Sequence, residues 1–131
     1  MSKRQSRILA ATAGALLLVG AAGVIPAEAR DGDVKVAGTC TAGSTWKLKL
    51  GPRTRSIETE FEVDSNVVGQ QWTVAITDNG VTVFTGARTT VAPSGSFTVD
   101  KRIPNVAGAD AIVATASNAA TGESCVASAS V

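Results

Sequence analysis

Apolar and polar residues alternate along most of the chain after residue 33. Trp72, Val74 and Ile76 alternate with Gln71, Thr73, Ala75 and Thr77, the period of two that a half-buried strand requires. Asn79-Gly80 follows. Both residues tolerate positive φ, so a tight hairpin is expected, with the chain returning through Val81 to Phe84. A two-residue loop pairs Ile76 with Val83, turns Val81 and Val83 inward and leaves Phe84 outside. A three-residue loop with a bulge at Gly80 turns Phe84 inward instead. The first register is preferred. A slip of one residue reverses the faces, so the two registers make opposite statements about Phe84.

The other strands follow from the same period. Ile57, Thr59, Phe61 and Val63 face one way, and Glu58, Glu60, Glu62 and Asp64 the other. Trp46, Leu48 and Leu50 alternate with Lys47 and Lys49, and Gly51-Pro52 breaks the run. Val34-Lys35-Val36 alternates on towards Cys40, before a turn at Thr41-Ala42-Gly43-Ser44. Gly86 to Val91 reads as a short edge segment and Ala92-Pro93-Ser94-Gly95 as a turn. Phe97 and Val99 alternate with Ser96, Thr98 and Asp100, and the chain is expected to leave that strand from Lys101 to Asn105. Ile112, Ala114 and Ala116, then Cys125, Ala127, Ala129 and Val131, form the inner sides of two last strands joined by a turn at Asn118 to Gly122. No helical period of useful length occurs from residue 30 onward. Short strands spaced by turn signals predict an all-β sandwich of about seven to eight antiparallel strands.

The N-terminal segment is of another kind. Lys3, Arg4 and Arg7 precede an apolar run from Ile8 to Val24, and Ala27-Glu28-Ala29 is an A-x-A cleavage motif. This order reads as a secretory signal peptide over residues 1–29, with the folded domain over 30–131. The run is nearly long enough to span a bilayer. Pro26, the small residues and the cleavage motif favour removal, which leaves no stable membrane span and a secreted, extracellular domain. The whole chain of 131 residues carries a formal charge of +1, and removal of the leader keeps it near neutral. That balance offers no electrostatic case for nucleic acid or anionic membranes. The two cysteines, Cys40 and Cys125, stand near the two ends of the domain. In an oxidising compartment they read as a disulfide rather than two buried thiols.

Little chemistry is available. The chain has no histidine, and with both cysteines paired it has no spare thiol nucleophile, so enzymatic activity is not expected. No cofactor is implied, and one thiol pair without histidine is a poor metal site. The acidic stripe Glu58, Glu60, Glu62 and Asp64 is the most distinctive surface feature, a possible contact patch together with an outward Phe84. Carboxylates two residues apart along a strand are about 6.5–7 Å from one another, too spread to gather round a calcium ion. A solvated face paired across strands with Lys47, Lys49, Arg53 or Arg55 is the simpler reading. Trp46, Trp72, Phe61 and Phe97 fall at inner positions, as anchors of a core rather than platforms for sugar.

Trp72 on the third long strand, Ser96-Phe97-Thr98-Val99, Gly108-Ala109-Asp110-Ala111-Ile112-Val113-Ala114 and Gly122-Glu123-Ser124-Cys125 together resemble a bacterial immunoglobulin-like domain. The chain also looks like the small stand-alone secreted proteins common in actinobacteria. The resemblance implies an immunoglobulin-like sandwich and carries no site with it. It departs from that pattern in two ways. Tyrosine is absent, so there is no tyrosine corner, and the cysteines lie too near the ends for the usual inter-sheet bridge. The expected function is a secreted, non-enzymatic binding or structural module whose partner is an extracellular protein or cell-surface ligand. The alternative is a small-molecule carrier or protease inhibitor on the same fold, with Arg88 to Gly95 and Arg102 to Asp110 as its candidate loops. Protein recovered outside the cell is expected to begin at Arg30. Intact-mass measurement checks this, and a leader still attached to extracellular material would contradict it.

Overall fold

Eight of the alternating runs become strands in the computed structural model, which describes Gly32–Val131. They are β1 (Val34–Thr39), β2 (Thr45–Pro52), β3 (Ser56–Asp64), β4 (Gln71–Asp78), β5 (Val81–Thr89), β6 (Ser96–Pro104), β7 (Ala111–Asn118) and β8 (Glu123–Ser130). The signal peptide expected over residues 1–29 lies outside the described residues. The strands form two antiparallel sheets of four, ordered β1-β2-β3-β6 and β5-β4-β7-β8. No described residue is helical. The expected all-β sandwich is what the described residues form.

The two inner faces close on one core. Leu48 and Leu50 from β2, Ile57, Phe61 and Val63 from β3, and Phe97, Val99 and Ile103 from β6 meet the second sheet's Trp72, Val74, Ile76 and Ile112. Trp72 is fully buried, with its ring centroid 6.3 Å from that of Phe97 and the planes tilted by 51°. This is an arrangement the ring quadrupoles favour. β7 and β8 present mostly small inner residues, Ala114, Ala116, Cys125 and Ala127. Small residues facing large ones let two sheets pack at native density. Trp46 is only half-buried: its ring lies over β1, where a methyl at Gly38 would stand 2.5 Å from Trp46 Cζ2.

Three expectations change. The hairpin does turn on two residues, Asn79 (φ 50°) and Gly80 (φ 84°), with Asp78 paired to Val81. A bulge then shifts the register, so that Ile76 pairs with Phe84 rather than Val83. Val81 is exposed, while Val83 and Phe84 both pack half-buried against the core. The preferred outward Phe84 is therefore wrong, and the bulge sits in β5 rather than at Gly80. A phenyl ring removes more apolar area from water than a valine does, which favours the shifted register. Secondly, Gly86 to Thr89 is no separate segment but the continuation of β5. Thirdly, β6 does not end at Lys101. It pairs with β3 as far as Ser56 and Pro104 and buries Ile103. Pro104 lacks an N–H, which the last ladder position of an edge strand tolerates.

The outer faces differ sharply in chemistry. On the first sheet the outward positions of β2 and β3 carry Lys47, Lys49, Glu58, Glu60, Glu62 and Asp64. On the second sheet β4 turns out Gln71, Thr73, Ala75 and Thr77, and β5 turns out Thr85, Ala87 and Thr89. β7 adds Ala111, Val113, Thr115 and Ser117, and β8 adds Ser124, Val126, Ser128 and Ser130. None of these is charged.

Trp72→Ala is expected to cost about 3–5 kcal/mol, as loss of a large buried aromatic does. Equilibrium denaturant unfolding measures it. A loss below about 1 kcal/mol would contradict the central place given to the indole.

Candidate functional site

Cross-strand register decides the fate of the acidic stripe. Lys47 stands opposite Glu62 and Lys49 opposite Glu60, each with a 3.9 Å ion pair. Glu58 accepts from Arg53 at 3.3 Å and from Arg102, its neighbour on β6, at 3.2 Å. Arg53 also donates to Asp33 at 3.0 Å. Asp64 caps the following turn by accepting from the Asn66 N–H at 2.9 Å. A trough of about 480 Å³ lies over this face, lined by Lys35, Lys47, Lys49, Glu60, Glu62 and Thr98. The three glutamates are thus already matched by cations, and exposed pairs of this kind contribute little to stability. Among the described residues no three of His, Cys, Asp or Glu gather at one point. Phe84 does not join this face. It lies on the other sheet, with the Arg88 guanidinium 5.0 Å from its ring centre.

The disulfide Cys40–Cys125 is formed and joins residues 85 apart in sequence. It holds the β1–β2 turn against the start of β8. Thr41 N–H donates to the Ser124 carbonyl and Ser124 N–H to Thr41 Oγ1, both at 3.0 Å. Glu123 completes the clamp. Its buried carboxylate accepts from Ala42 N–H at 3.0 Å, Ser44 N–H at 2.9 Å and Ser44 Oγ at 2.7 Å. Burial alone would raise its pKa. The hydrogen bonds from the Ser44 hydroxyl, then from the Ser44 and Ala42 amides, outweigh burial and hold it below the usual value. The sequence pattern gave no sign of this role, because the turn that Glu123 grips lies some eighty residues away.

At the same end, the β3–β4 and β5–β6 loops are laced together around Thr90, which is 1% exposed. Its hydroxyl donates to the Val67 carbonyl at 2.6 Å and accepts from Gln70 N–H at 2.8 Å. Gly69 N–H donates to the Thr90 carbonyl and Thr90 N–H to that of Gln70, both at 2.8 Å. Ser65 N–H reaches the Gly95 carbonyl at 3.0 Å. Gly95 has φ 80° and lies so close to the Val67 backbone that a side chain there would collide with it. On these braced loops Val67, Val68 and Val91 stand 50%, 55% and 56% exposed. From the sequence, Val67 and Val68 read as connecting residues and Val91 as the last residue of a short edge segment. Their signal was a pair of adjacent valines between Asn66 and Gly69, outside any alternating run.

At the opposite end Asp78 and Asp110 are buried acids whose carboxyls interact. Each leaves Oδ1 buried with no protein partner. Burial first, then the shared hydrogen bond and the neighbouring charge of Asp110, raises the Asp78 pKa above its usual value. Asn79 closes this end, accepting from Ala111 N–H at 2.9 Å and donating to the Ala109 carbonyl at 3.1 Å. Both acids are too enclosed to reach a substrate.

No protein-family model matches the chain, and no curated protein or solved structure matches it either.

The two buried acids pull stability in opposite directions with pH. Glu123 has its folded pKa below its unfolded one, so its contribution is complete above the usual carboxyl range and is lost as pH falls through the folded value. Asp78 has its folded pKa raised, so its contribution is complete below that range and is lost as pH rises through the raised value. Glu123→Gln is expected to cost about 1–3 kcal/mol at pH 7 and to flatten the loss of stability in acid. Asp78→Asn is expected to stabilise at pH 7 and not at pH 3. Melting temperature followed from pH 3 to pH 7 checks both signs.

Proposed function

We propose that this chain is a secreted, non-enzymatic module of immunoglobulin-like architecture, and that it works by contact with an extracellular protein or cell-surface ligand. The observation that carries this reading is the loop end bearing Val67, Val68 and Val91. Apolar side chains left in water on loops that are tightly hydrogen-bonded to each other form a pre-organised contact surface, because little ordering entropy remains to be lost on binding. Loops set on a rigid sandwich are also where such folds place recognition.

The disulfide supports an oxidising compartment. Two facing antiparallel sheets with a buried tryptophan on an inner strand support the immunoglobulin-like reading. The absence of histidine and the pairing of both cysteines support a non-catalytic role. A carrier needs a cleft between the sheets, and that space is filled by Trp72, Phe61, Leu48 and their neighbours. The trough of about 480 Å³ lies instead on an outer, ion-paired face.

The test is a photo-crosslinking residue in place of Val68 in the secreted protein, applied to culture medium and to intact cells. A saturable adduct is expected. It should be lost in Val67→Asp and Val91→Asp, provided their melting temperatures stay near that of the parent, and kept in Glu60→Lys on the first sheet's outer face. No saturable adduct in either sample would sink the reading.

A further inference from the structure

We propose that the outer face of the β5-β4-β7-β8 sheet docks against the same face of a second copy of this chain. The proposal does not rest on the loop end described above, which lies on a different surface. It rests on charge, area and shape.

Every outward side chain on this face is hydroxyl, amide or small aliphatic, from Gln71 on β4 to Ser130 on β8. The first sheet's outer face is built from lysines, arginines and carboxylates that pair with one another. A partner with charges would have to bury them against a face that offers no counter-charge, which is costly. The surface on this chain that matches a neutral, small-residue sheet is that sheet itself. Self-matching surfaces close as two-fold dimers, since each residue meets its counterpart across one axis.

The area is sufficient for a weak dimer. Four strands about 4.8 Å apart, each eight or so residues long at about 3.3 Å per residue, present roughly 500 Å² per copy. Two copies then remove roughly 1,000 Å² from water, the lower bound for a specific interface. Shape agrees as well. Thr, Ser, Ala and Val are short, so two twisted sheets can approach as closely as sheets do inside a sandwich. One hydroxyl of the face is already occupied, since Thr115 Oγ1 donates to the Ala75 carbonyl of its own sheet at 3.4 Å, and the others are free to pair with their counterparts across the two-fold axis. Val126, 62% exposed on β8, and the half-buried Val113, diagonal to it on β7, supply apolar contact.

Sedimentation equilibrium on the secreted protein from about 1 µM to 1 mM tests this, since that range spans affinities expected of so small an interface. The expected result is a monomer at the low end and a dimer at the high end. Thr73→Glu and Val126→Glu, both at exposed positions where substitution is expected to change the melting temperature little, should weaken dimerisation by roughly 100-fold, since each buries two unpaired charges. Ser128→Lys is the second variant should either disturb folding. Glu60→Lys and Val91→Asp should dimerise as the parent does. A protein that stays monomeric at 1 mM overturns the proposal, as does a dimer that survives the face substitutions or is abolished by Glu60→Lys. Because the loop variants leave this dimer intact, loss of the crosslink at Val68 and loss of the dimer report on separate surfaces.

Discussion

The sandwich depends on how the two sheets share one thin core, and the indole of Trp72 sets that sharing. β4 is an inner strand, hydrogen-bonded to β5 on one side and β7 on the other. A fully buried indole on such a strand fixes which face of the whole sheet turns inward. The alanines of β7 and β8 follow from it, because a layer that holds Trp72, Phe61 and Phe97 has room only for small residues elsewhere. One local rule is broken in return: Trp72 Nε1 is buried without a protein acceptor. Packing of the ring outweighs that unpaired donor, since a buried aromatic contributes more than a single lost hydrogen bond costs.

Hydrophobic packing alone is thin in a domain of about 100 residues, and the Cys40–Cys125 bond adds to it from the other direction. Closing a loop with a sequence separation of 85 removes about 4–5 kcal/mol worth of freedom from the unfolded chain on the chain-entropy account. The bond acts where the two sheets would otherwise part, between the β1–β2 turn and β8. Glu123 works on the same turn by a different means, replacing water around two amides and a hydroxyl with one charge. Covalent and ionic clamps at one place make that end rigid, and the Thr90 loops share it.

Strand positions and the core were legible in the sequence, because a period of two is local and Trp72, Phe61 and Ile112 fall on it without ambiguity. The disulfide followed from two cysteines and an inferred compartment. The register beyond Asn79-Gly80 was not legible. Val81-Thr82-Val83-Phe84 offers apolar residues in both phases, and only the gain from burying Phe84 beside Ile76 selects the bulge. Glu123, Asp78 and Asp110 were invisible for another reason. Each is polar at a strand end, where alternation says nothing, and each is given its role by residues distant in sequence. The cations opposite the acidic stripe fall between these cases: lysines on a neighbouring strand were expected, whereas Arg102 depended on β6 running further than its composition suggested.

Sheet edges show how the chain divides its charge. The first sheet ends in β1, with Lys35, and in β6, with Lys101, Arg102 and Pro104, residues that discourage a further strand from adding on. In the second sheet β5 is guarded by its bulge and by Arg88 stacked on Phe84. β8 carries no charge from Ser124 to Ser130 and no proline. Its start is instead tethered across the sandwich through Cys125 and the Thr41 turn. The second sheet therefore keeps its outer surface neutral without the charges that normally prevent edge pairing, relying on short hydroxyl side chains to stay in water. A sequence under pressure only for solubility would place lysine or glutamate at some of these solvent-facing positions, where they cost the fold almost nothing. Nothing in the packing of the core requires their exclusion from one face of the sandwich and their concentration on the other.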